Sequence, residues 1–132
     1  AEADFRAALR LRPNQPHVLN YLGYSLVEKK LKLGEALEMI ELAVSLQSDS
    51  GYIVDSLGWV LFKLDRHEEA VVHLERAAEL MPVDPIINDH LGDALFRAGF
   101  QNEAKYQWNR ALLYEPEKSL RENIEFKLKK GL

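Results

Sequence analysis

The 132-residue chain contains no cysteine. That excludes disulfides, thiolate catalysis and cysteine metal sites, while leaving reducing and oxidising compartments equally open. It also has no apolar run approaching the ~20 residues that a spanning helix requires, so no membrane span is expected. The opening AEADFRAALR has neither the basic start nor the apolar stretch of an export leader, and the chain is expected to begin inside a structural unit of something longer. Positive charge is not in excess: 21 acidic residues against 17 basic ones give a net −4, the wrong sign for gripping a phosphate backbone, so nucleic acid is excluded as a partner. Between Lys32 and Lys63 there is no Lys or Arg at all, whereas Glu35, Glu38, Glu41, Asp49 and Asp55 fall there. Acidic solvated helix faces account for such a stretch.

What is present is a period. Gly23, Gly58 and Gly92 lie 35 and 34 residues apart, and Ala8, Ala43, Ala77 and Ala111 follow at 35, 34 and 34. Pro13, Ser48, Pro82 and Pro116 each stand five residues beyond one of those alanines. Gly23 to Ala36 is 13 residues where Gly58 to Ala70 and Gly92 to Ala104 are 12, which places an extra residue in the inner turn KKLKLG of the first complete unit. Glycine is about 1 kcal/mol poorer than alanine in a helix interior, so its recurrence inside helices marks places where another helix approaches closely. Ala36, Ala70 and Ala104 then belong to the opposing helices, and Leu19, Leu22, Leu26, Ile40, Val54, Leu57, Leu61 and Leu74 fill the core at helical spacing. Asp84-Pro85 reads as an N-cap with proline at the first helical position, Asp65 with Glu68 as a capping-box pair, and Gly99 as a break between helices. Leu120, Ile124 and Leu128, four apart with Phe126 beside them, read as a capping helix with a polar outer face.

Leu22-Gly23, Ala36 and Ala43, then Leu57-Gly58, Ala70, Ala77 and Pro82, then Leu91-Gly92, Ala104, Ala111 and Pro116 resemble the tetratricopeptide repeat (TPR). The fold this resemblance implies is all-α: a right-handed superhelical solenoid of helix-turn-helix repeats closed by a C-terminal cap. Residues 1–15 would supply the second helix of a truncated repeat carrying Ala1, Phe5 and Ala8, residues 16–50, 51–84 and 85–118 three repeats, and 119–132 the capping helix. With its first helix missing, the truncated unit leaves an apolar strip, and weak self-association through the Phe5 end is expected.

Chemistry is sparse. His67 and His73 are six apart, and HEEAV has valine where a zincin needs its second histidine. Ser56, His90 and neighbouring aspartates could be collected on paper, but there is no nucleophile elbow and no glycine-rich phosphate loop. No catalytic residue, metal ligand or cofactor is expected.

In the TPR family the first helix of each hairpin lines a concave groove. Transferring those positions gives His17, Asn20, Tyr21, Tyr24, Val27 and Glu28; Tyr52, Asp55, Ser56, Trp59, Phe62 and Lys63; and Ile86, Asp89, His90, Asp93, Phe96 and Arg97. Asn20, Tyr24, Tyr52, Asp55, Trp59, Asp89, His90, Asp93 and Arg97 are the candidate ligand contacts. An exposed Trp and Tyr among polar groups suit an interaction hot spot; the competing reading packs Tyr24, Trp59, Phe62 and Phe96 between adjacent repeats. The carboxylate clamp of chaperone-type members would meet repulsion from Asp55, Asp89 and Asp93, so the expected partner is a protein or peptide segment that is neutral to basic. GYIVDSLGWVLFKL and DPIINDHLGDALFRAGFQNEAKYQWNRAL are further similar to a proteobacterial branch of TPR proteins that includes envelope lipoprotein adaptors, which implies an adaptor and a bacterial periplasm or envelope setting. The alternative from another class is a structural or self-assembling spacer with an empty groove.

Overall fold

The structure is a computed structural model that describes residues 2–132. Ala1, assigned above to the open apolar strip, lies outside the described residues. Eight helices follow one another: α1 (Glu2–Leu11), α2 (Pro16–Glu28), α3 (Leu33–Leu46), α4 (Gly51–Lys63), α5 (His67–Leu80), α6 (Pro85–Arg97), α7 (Gln101–Leu113) and α8 (Lys118–Lys130), with no strand among the described residues. α2 pairs with α3, α4 with α5 and α6 with α7, and successive hairpins stack into an all-α solenoid.

The glycines sit where helices cross. A Cβ on Gly23 would lie 2.6 Å from Ile40, one on Gly58 2.5 Å from Leu74, and one on Gly92 2.4 Å from the Trp108 ring. Ala36, Ala43, Ala70, Ala77, Ala104 and Ala111 are fully buried on the facing helices, and all eight expected core residues are buried. The extra residue of the first hairpin is absorbed as predicted: residues 29–32 link α2 to α3, against 64–66 and 98–100 in the other two. Lys30 and Lys32 both take left-handed backbone there (φ 55 and 52), where the later turns need one such residue each, Asp65 and Gly99.

Side-chain caps form at two helices, the expected one at Asp84 and another at Ser50, and the cap expected at Asp65 does not. Ser50 Oγ accepts from the Ile53 amide at the start of α4, and Asp84 Oδ1 accepts from the Ile87 amide at the start of α6, ahead of Pro85. The expected Asp65–Glu68 capping box does not form. Asp65 is spent on the left-handed turn (φ 61), the N-cap position falls to Arg66, and the Arg66 guanidinium pairs with both oxygens of Glu69.

α8 docks as a next first helix would. Ile124 is fully buried, Leu120 and Leu128 pack beside it, and Phe126 faces solvent instead of joining that stripe. At the other end α1 has no fully buried residue, though Phe5 stacks on Tyr21 with ring centroids 6.2 Å apart.

Candidate functional site

α2, α4 and α6 lie side by side and present the eighteen positions identified above. Their fates diverge, because neighbouring first helices touch through the middle of that row. Trp59 is 8% exposed: its indole stacks on His90 with centroids 3.8 Å apart and on Phe62 at 4.9 Å, and Nε1 donates to Glu28 at 3.3 Å. His90 Nδ1 lies 2.8 Å from Asp55 Oδ1. Burial pulls the imidazole pKa down, but Asp55, with Asp89 and Asp93 behind it, outweighs burial and holds it above its ordinary value.

Asp89 and Asp93 are buried by a residue that the sequence reading did not single out. Lys127 of α8 inserts its ammonium between them, donating to Asp89 at 2.6 Å and to Asp93 at 2.8 Å, and lies 5.7 Å from the Trp108 ring centroid. Asp93 also accepts from Trp108 Nε1 at 3.0 Å. Burial and the facing Asp93 push the Asp89 carboxyl up, against the opposing pull of Lys127. Burial lowers the Lys127 pKa, yet the two aspartates raise it further, so the cation is retained. One signal in the sequence pointed here: Lys127 follows Asp93 by 34 residues, one period, as His90 follows Asp55 by 35.

The expectation that Trp59, Asp55, Asp89, His90 and Asp93 form an open contact surface is therefore corrected. Each is largely enclosed by an adjoining helix, and the acids are paired in place, Asp55 with His90 and Asp89 and Asp93 with Lys127. Arg97 is exposed but stands apart, sharing a hollow of about 310 Å³ with Lys30, Phe62, Lys63 and His67 at the inner turns.

The opposite end remains open. A cleft of about 380 Å³ is lined by His17, Asn20, Tyr21 and Tyr24 of α2, by Tyr52, Asp55 and Ser56 of α4, and by Ile86 and Ile87 of α6, with the caps Ser50 and Asp84 at its edge. Tyr21 and Tyr52 are 62% and 58% exposed, and Ile86 also faces solvent. Tyr24 is half-buried; its phenol is pushed up by burial and by the Glu28 carboxylate. Asn20 is 9% exposed and its Oδ1 has no hydrogen-bond partner. Of the nine candidates, Asn20, Tyr24, Tyr52 and the rim of Asp55 meet in this cleft, and Tyr21 and Ile86 join them.

Comparison with known proteins agrees with the fold. A tetratricopeptide-repeat family model matches residues 55–84. A TPR repeat-containing protein of Pseudomonas aeruginosa is 34% identical over 92 residues, 70% of this chain and 15% of that protein. The chain belongs to the tetratricopeptide-repeat proteins. A thermophilic TPR protein from Thermus thermophilus superimposes with a TM-score of 0.82 at 20% identity, covering 98% of this chain and 72% of the other. YrrB, described as a TPR protein with an unusual peptide-binding site, superimposes with a TM-score of 0.75 at 25% identity, over 98% of this chain and 65% of that one. The chain thus spans a small part of its Pseudomonas relative. Along the row of first helices, α8 closes over Asp89 and Asp93 of α6, whereas the cleft bordered by α2, α4 and the start of α6 stays open.

Proposed function

We propose that this TPR array binds a protein or peptide segment on its concave face, in the recess shared by α2, α4 and the start of α6, and serves as an adaptor. The fold itself is that of a protein–protein interaction module. One observation carries the finer reading: Tyr21, Tyr52 and Ile86 stand exposed around a concave cleft floored by Asn20, while Asp89 and Asp93, the α6 positions equivalent to Asn20 and Tyr24, are filled by the chain's own Lys127. Exposed aromatic groups around a recess are what an anchoring side chain of a partner needs. The peptide-binding site described for YrrB supports the reading by likeness. The charge preference now rests on different groups. Asp89 and Asp93 are paired with Lys127, so a neutral to basic ligand is favoured by Asp84 and by the absence of Lys and Arg from the cleft lining.

The test is a peptide selected from a random displayed library against the whole chain. Tyr21→Ala and Tyr52→Ala should each weaken its binding about tenfold, roughly 1.4 kcal/mol, with helical circular dichroism unchanged. An equal loss from Tyr106→Ala, an exposed residue of α7, would place the ligand elsewhere.

A further inference from the structure

The cleft holds an acceptor that no donor of the chain meets. Asn20 Oδ1 is buried without a partner among the described residues, an arrangement that is costly unless something supplies an N–H. No Lys or Arg lines the cleft; the basic side chains nearest the concave face, Lys30, Lys63 and Arg97, line the separate hollow at the inner turns. Asp84 caps α6 and has no ion-pair partner among the described residues. The starts of α4 and α6 border the cleft and would favour an anion, but Ser50 and Asp84 already accept from the Ile53 and Ile87 amides, and Pro85 has no N–H to offer. Asp55 is matched by His90. Two exposed tyrosine rings, Tyr21 and Tyr52, stand at the opening.

We infer that this cleft is a side-chain pocket for a basic residue of the bound segment, arginine in preference to lysine, with a guanidinium N–H donating to Asn20 Oδ1 and its charge facing Asp84. A planar guanidinium offers several donors in a fixed fork and stacks on aromatic rings, whereas an ammonium is a compact hydrated charge. The inference rests on the concave-face reading above and specifies what its first pocket takes.

The test titrates the full ¹⁵N-labelled chain with Nα-acetyl-argininamide, its lysine counterpart, the neutral isostere Nα-acetyl-citrullinamide and the anionic glutamate counterpart. The arginine probe should shift the Asn20 side-chain amide and the backbone signals of Tyr21, Tyr52 and Ile86, binding at least tenfold tighter than citrulline. Asn20→Leu, and Asp84→Asn, which keeps the cap while removing the charge, should each lower that affinity several-fold with the rest of the spectrum preserved. Equal binding of arginine and citrulline, tighter binding of glutamate, or shifts confined to the acidic α3 face would overturn the pocket. Library peptides that bind the concave face unchanged after every basic residue is made neutral would overturn the pocket while leaving the groove reading intact. Arginine-specific shifts in the cleft, with no library peptide bound, would support the pocket and count against the groove reading alone.

Discussion

His90 is where two repeats meet. It takes its charge partner Asp55 and its stacking partner Trp59 from α4, and the carboxylates of Asp89 and Asp93 stand near it on α6, with Lys127 of α8 beyond them. Its pKa in the fold lies above the ordinary 6.5, so the folded state holds the imidazolium more tightly than the unfolded chain does. That contribution is fully present below pH ~6.5 and is lost as pH rises through the folded value. Denaturant midpoints should fall across that rise in wild type, and His90→Gln should flatten the fall; an unchanged slope in the variant would show that His90 is not the titrating group. Trp59 belongs to the same stack. Trp59→Ala should cost about 3–5 kcal/mol, as for other buried aromatics, measured by urea melts. A cost under ~0.5 kcal/mol would return Trp59 to the surface class assigned by register.

At the scale of helices, the periodic small residues were legible and the polar ladder was not. Gly23, Gly58, Gly92 and the six alanines repeat because each hairpin must solve the same crossing, so spacing alone reveals them. Trp59, Asp89 and Asp93 occupy positions that face solvent in a lone hairpin. Their burial depends on which side chains the next first helix brings, and those arrive 31 to 38 residues later with chemistry that differs at each junction. The α8 stripe of Leu120, Ile124 and Leu128 showed which face docks, not that Lys127 would enter between two aspartates. Asp65 departs from its capping signal for a local reason: a residue needed for a left-handed turn cannot also cap the helix that follows. Two substitutions test this level. Ala77→Leu overfills a crossing where the alanine is fully buried and should cost about 1–3 kcal/mol by denaturant melts. Lys127→Met leaves Asp89 and Asp93 buried without their cation, and should cost about 3–5 kcal/mol and loosen α8 to hydrogen exchange.

For the whole molecule, stacking makes one continuous surface whose two ends differ. α8 covers Asp89 and Asp93 on the first helix of the last repeat, and the junction of α2, α4 and the start of α6 presents the open recess. The array therefore leaves open only part of its row of first-helix positions, the part that neither the next first helix nor the cap fills. The central claim is that this recess is where a partner binds. The most direct measurement is an amide-shift map of the ¹⁵N-labelled chain with a peptide selected against it. Saturable shifts should gather at Tyr21, Tyr52 and Ile86, leaving Glu75, Tyr106 and Arg110 of the hollow between α5 and α7 unmoved. Shifts gathered at that outer hollow with the cleft silent would contradict the account.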